Sequence, residues 1–285
     1  MVAQRFFKIV RPIFVSALLL FCAAVLVQYC VTFFIPSFDI LASKDMGKIV
    51  FTLLIFGSLS IFILQQTSKF QHRWWLRNIH FLYDRTQLHL FWRCFVTFFM
   101  LHALLLGSCY FYGLGSLQTI ADVSIIKIIG QLLFGFLATF MLALTEEIMF
   151  RGTLYPYFAH WLRPITAVFV TSLSFMLVHF FPSPVAQIQR DLPIAIGLFL
   201  LGFMLNLIFI TAGSMYANIG THAGLVYVKV ILRKARFFVL ASTNTLPWFL
   251  HTDLRQAPIV HALFGLIIVG LIVHKRDVLF AKPTR

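Results

Sequence analysis

LTEEIMFR, residues 144–151, is the stretch on which the reading of this chain turns. Two adjacent carboxylates, Glu146 and Glu147, and one guanidinium, Arg151, interrupt a mostly apolar sequence. Residues 125–144 before them carry one charge, Lys127. A helix of about 20 apolar residues spans the hydrocarbon core of a bilayer. A charged side chain at that depth costs about 2.5 to 3.5 kcal/mol on insertion scales, and by default it marks a functional site with a nearby partner.

Helical spacing sorts the three charges. Glu147 and Arg151 are four residues apart with the acid first, the better order for a pair one turn apart. Glu146 lies about 100° around the helix, and the residues three and four beyond it are Met149 and Phe150, so no base meets it. A carboxylate left in apolar surroundings without a counter-ion is a stronger base than one in water, which suits a general base. The plainer alternative is a salt-bridged helix end with Glu146 turned to water.

Composition settles the class. The chain is 60% hydrophobic and only 11% charged, against about 25% charged in soluble domains. The expectation is an all-α, polytopic membrane bundle: one integral domain over residues 1–285. The net charge of +14 does not signal nucleic acid. The basic residues are scattered through short connections between apolar runs, where anionic lipid headgroups meet them. Cys22, Cys30, Cys94 and Cys109 lie in or beside apolar runs without CxxC spacing, and read as free, packed thiols.

In chain order, the spans are expected at 13–35, 49–64, 90–112, 125 to about 156–160, 165–181, 192–211, 214–231 and 257–273, making eight. The first run is too long for a signal-peptide core. Residues 65–89 mix Arg73, Arg77 and Arg85 with Trp74, Trp75 and Tyr83, as in a segment lying at the headgroups. Residues 121–124 look like the start of the fourth helix, and 183–191 like a short loop. Eight spans put both termini on one side. That side holds 14 of the 23 Lys and Arg residues and the other 9, which favours a cytoplasmic N-terminus. The basic loop 229–255 argues the other way.

Two histidines stand out. Glu146 lies about 14 residues before a turn near His160, roughly 21 Å of helix, and His179 lies about 16 residues after Arg163, roughly 24 Å. Antiparallel neighbours would bring them to one depth. His222 has Asn218 one turn earlier on its own face, and Gly220 and Gly224 beside it permit close helix approach. A carboxylate, two imidazoles and an amide from three helices suit a water-activating site. His102 and His261 also lie in apolar runs, without a polar companion in sequence, and are assigned nothing.

These residues resemble the CPBP family of intramembrane proteases, which includes the CAAX-prenyl endopeptidases and bacteriocin-processing relatives. The family carries EExxxR, then FxxxH, then a histidine followed four residues later by Asn or Asp. Glu146, Glu147 and Arg151 match the first, Phe175 and His179 the second, and His222 the start of the third; the resemblance covers residues 125–231. It implies peptide-bond hydrolysis within the membrane of a membrane-associated peptide or lipidated substrate. Glu146 and His179 would activate water, His222 would stabilise the oxyanion, and Glu147 and Arg151 would hold the geometry. Val226 stands where the family has its amide or acid; Asn218, one turn before His222, is the candidate to supply an amide instead. No cofactor is expected. A zinc version with Glu and His ligands is the alternative chemistry, but there is no HExxH, and the family is regarded as glutamate proteases. The expected location is a bacterial inner membrane. An inactive scaffold or immunity-type regulator of the same fold, and a small transporter, are the competing classes.

Overall fold

The computed structural model describes residues 85–117, 125–180, 184–230, 238–240, 246–251 and 253–281. The first two expected spans, most of the segment 65–89, residues 121–124, Cys22 and Cys30 lie outside the described residues.

Punctuation in the sequence sets the helix ends. α1 (Arg85–Phe111) stops where Gly113 takes a left-handed φ of 69°, a conformation glycine adopts at no steric cost. β1 (Gly115–Leu117) follows. α2 (Ile125–Met149) runs into a π-helical turn (Phe150–Leu154) and then α3 (Tyr155–Trp161). Leu162 and Arg163 turn extended, and a proline at the first position opens α4 (Pro164–His179). α5 (Pro184–Arg190) occupies the stretch expected to be a loop; a proline at its first position starts a short helix there. α6 (Leu192–Ala212) ends at Gly213, whose φ is 61°. α7 (Met215–Val230) is followed by β2 (Phe238–Leu240), a 3-10 turn (Leu254–Gln256), α8 (Pro258–His274) and α9 (Arg276–Leu279).

One correction to an all-α reading is a short antiparallel ribbon, in which Gly115 pairs with Leu240 and Leu117 with Phe238. Three residues per strand leave too little periodicity to be read in a sequence.

α7 is the central element. It packs along α1 and α2 and touches α6, while α4 and α8 both pack on α6. Glycine makes the tightest of these contacts. A Cβ on Gly220 would run into the Phe91 carbonyl, and one on Gly224 would stand 2.5 Å from the Phe95 carbonyl. Helices in lipid gain little from the hydrophobic effect and rely on this backbone approach. Phe95 and Phe136 meet edge-on with centroids 5.4 Å apart, and Phe136 meets Tyr227 likewise at 5.8 Å, which locks α1, α2 and α7 together.

Outward faces are apolar. Leu88, Trp92, Val96, Met100 and Leu104 line α1, and Ile129, Leu133, Leu137 and Met141 line α2, all exposed. Such continuous stripes fit acyl chains rather than water. Among the described residues, Arg85–Phe111, Ile128–Trp161 and Leu192–Ala212 are long and apolar enough to cross a membrane, and α4 and α8 are shorter apolar helices. The protein is an integral membrane protein.

Beyond the C-terminus of α7, Asp253 ties down the connection to α8. It accepts hydrogen bonds from the Arg255 side chain, the shortest 2.6 Å, and lies 3.5 Å from Lys229 Nζ. Burial opposes its ionisation, but the Arg255 hydrogen bonds and the Lys229 and Arg255 charges outweigh burial and hold its carboxyl well below the usual range. His261, expected to lack a polar companion, bonds through Nε2 to the Arg255 carbonyl at 2.7 Å.

Two measurements check this packing. Gly220→Ala should lower the thermal unfolding midpoint in detergent, since overpacking typically costs about 1–3 kcal/mol. Gly130→Ala, with nothing near its Cβ, should leave it unchanged or raise it. Asp253→Asn should lower the midpoint at neutral pH. A carboxyl depressed in the fold contributes above its unfolded value of about 3.9 and loses that contribution as pH falls, so the difference from wild type should close below about pH 4.

Candidate functional site

α2 delivers the acidic pair where its regular winding ends. Glu146 and Glu147 occupy its last turn, and Arg151 lies in the π-helical turn that follows. Thr153 Oγ1 donates to the Ile148 carbonyl five residues back, at 2.9 Å, in keeping with the wider turn. Single π turns inside α-helices occur often at functional sites.

Glu147 is the hub, and it is completely buried. Its Oε1 accepts Arg151 Nη1 at 2.9 Å and His222 Nδ1 at 2.8 Å. Its Oε2 accepts Asn218 Nδ2 at 3.1 Å. Arg151, also fully buried, donates through Nη2 to the Gly202 carbonyl at 2.8 Å, and its guanidinium lies 5.2 Å from the centre of the Phe175 ring. Charge, hydrogen bonds and a π face replace much of the water that both ions have lost, though Arg151 Nε is left without a partner.

Glu146 has no such partners. It is 4% exposed, and its Oε2 has no hydrogen bond. His222 Nε2 stands 3.7 Å from Oε2, and His179 Nε2 stands 3.9 Å from Oε1. One carboxylate oxygen thus faces each imidazole across a gap too long for a direct hydrogen bond. His179 sits at the C-terminus of α4 with its side chain 26% exposed. Its Nδ1 lies 2.8 Å from the Phe175 carbonyl. A carbonyl only accepts, so Nδ1 carries the proton, and in the neutral ring Nε2 presents its lone pair to the cleft. His222 Nδ1 likewise donates to the Glu147 carboxylate.

Asn218 differs from expectation. Besides Glu147, its Nδ2 donates to the Leu205 carbonyl at 2.6 Å. Both amide hydrogens are therefore committed, and the group buttresses Glu147 from behind rather than facing the cleft. The structure brings Glu146, His179 and His222 together, and sets Glu147, Arg151 and Asn218 behind them. The donor types match those of a catalytic zinc site, yet among the described residues no three such groups gather tightly enough to form one.

Sequence reasoning missed Asn206 and Ser172, both fully buried. Asn206 is the lone amide in the apolar α6, and Ser172 lies seven residues before His179; those signals were available.

Residues 128–228 match the family model described as Type II CAAX prenyl endopeptidase Rce1-like. Over those residues the chain is similar to the Rce1-like CAAX prenyl endopeptidases. Nothing matches among curated proteins, and nothing among solved structures. The Rce1-like segment runs from α2 into α7 and contains Glu146, Glu147, Arg151, His179, Asn218 and His222.

The two acids of the Rce1-like site should respond oppositely to neutralisation. Glu147→Gln strands a buried guanidinium, and breaking such a pair costs about 3–5 kcal/mol; its unfolding midpoint should drop sharply. Glu146→Gln removes an unpaired buried charge, and its midpoint should hold or rise.

Proposed function

We propose that the protein is an intramembrane endopeptidase that hydrolyses a peptide bond in a membrane-associated or lipidated substrate, with prenylated CAAX termini the class suggested by its family. The observation that carries this reading is Glu146: a buried carboxylate without a hydrogen-bonded counter-ion, flanked by two imidazoles whose far nitrogens are already committed.

The tautomers support one division of roles. A water in the cleft gives one proton to Glu146 and points its other hydrogen at the lone pair on His179 Nε2. The oxygen attacks the scissile carbonyl, and the carbon–nitrogen bond then breaks as Glu146 passes its proton to the leaving amine. As imidazolium His222 presents a donor at Nε2, while the Glu147 carboxylate holds Nδ1 and orients the ring, as the carboxylate does in a Ser-His-Asp triad. The charged ring then stabilises the oxyanion, a contribution of about 3–4 kcal/mol for one donor. Glu147, Arg151 and Asn218 hold that ring. The gaps of 3.7 and 3.9 Å suit a site without substrate, since catalytic hydrogen bonds tighten on binding. This mechanism uses no metal. The charge bias of the connections supports a cytoplasmic N-terminus, and the membrane we propose is a bacterial inner membrane.

Cleavage of a farnesylated CAAX peptide by the purified protein tests the reading. Glu146→Gln and His179→Ala should each reduce turnover by about 10²–10⁴, the usual worth of a general base, with insertion and purification unaffected. Undiminished turnover in both would favour a non-catalytic scaffold, the reading to which Val226 lends support. Activity lost on chelation and restored by one zinc per chain would replace the metal-free mechanism.

A further inference from the structure

Asn206 takes no part in the proposed mechanism, yet it touches the same network. Its Nδ2 donates to the Gly202 carbonyl at 3.0 Å and to Ser172 Oγ at 3.1 Å, and lies 3.5 Å from the Val168 carbonyl. Ser172 Oγ donates onward to the Val168 carbonyl at 2.7 Å. The Gly202 carbonyl is also the one that holds Arg151 Nη2 at 2.8 Å. One oxygen on α6 therefore joins Asn206 to the ion pair.

Close approach makes this junction possible. A Cβ on Gly202 would stand 3.2 Å from the Phe175 ring and 3.3 Å from Ser172 Cα, so the bare glycine lets α4 and α6 meet a few tenths of an ångström closer than a side chain would. Ser172 and His179 are seven residues apart, two turns along one face of α4. The links from Val168 through Ser172 to Asn206 thus anchor the helix that carries His179 to the carbonyl that aims Arg151. Arg151 holds Glu147, and Glu147 holds His222.

Asn206 is also a poor choice for packing alone. It is fully buried and its Oδ1 has no partner; an unpaired buried polar group is destabilising, a cost a leucine would not incur.

We infer that Asn206 is a positioning residue for the proposed hydrolysis, setting the distance between His179 on α4 and the Arg151–Glu147–His222 chain, and so the two gaps that flank Glu146. The inference rests on the proteolytic reading above.

The test uses the full chain in detergent with a farnesylated CAAX peptide as probe. Asn206→Leu should lower kcat at least tenfold, leave KM within about twofold, and leave the unfolding midpoint unchanged or raised. Ser172→Ala should lower kcat less, and adding it to Asn206→Leu should cost nothing further, because both act through one link. Asn206→Ala repeats the test if the leucine variant fails to insert. Wild-type kcat in the Asn206 variant would overturn the inference, as would a loss of kcat that only tracks a fall in the midpoint. Glu146→Gln, run in parallel, separates the two readings: an inactive Glu146→Gln beside a fully active Asn206→Leu sinks the positioning role alone, and an active Glu146→Gln sinks both.

Discussion

The structure depends on the carboxylate of Glu147. It receives a guanidinium, an imidazole and an amide, and all four groups are buried. A guanidinium sealed in apolar surroundings without a partner would be untenable, and here the pairing is completed by the Gly202 carbonyl and the Phe175 ring. Those contacts draw on α2, α4, α6 and α7. Because Arg151 is taken up by Glu147, the neighbouring Glu146 is left without a hydrogen-bonded counter-ion.

The two adjacent acids are divided by helix geometry and by the change in winding after Met149. A rotation of about 100° between neighbours sends one side chain into the ion pair and the other into the cleft. Adjacent residues of one type thereby acquire different work: one builds the site and the other faces the space where chemistry would occur. His179 and His222 repeat the arrangement, each with Nδ1 committed to the protein and Nε2 turned toward Glu146.

Much of this was legible beforehand because bilayer physics is restrictive. Charges are costly in lipid, so Glu146, Glu147 and Arg151 stood out, and spacing alone paired the latter two. Depth counted along two antiparallel helices suggested that His179 would reach Glu146. The glycines beside His222 signalled close packing, and their contacts are with the backbone of α1. Features resting on short segments escaped: the ribbon of Gly115–Leu117 with Phe238–Leu240, and the helix Pro184–Arg190. For Asn218, spacing shows which face the side chain shares with His222, not which acceptors lie across the interface. Its amide is taken up by Glu147 and by the Leu205 carbonyl of the neighbouring helix.

What the sequence by itself determined is the class of molecule, the positions of most helices, and the charged and histidine residues that stand out against them. Those follow from local quantities: apolar run length, charge cost, and the 3.6-residue turn. What only the tertiary structure decided is which nitrogen of each histidine faces Glu146, where the amides of Asn218 and Asn206 are spent, and how Gly202 lets two helices meet. These depend on contacts between residues far apart in the chain, and hydrogen bonds are directional over tenths of an ångström, a precision that no pattern along a single strand of residues encodes.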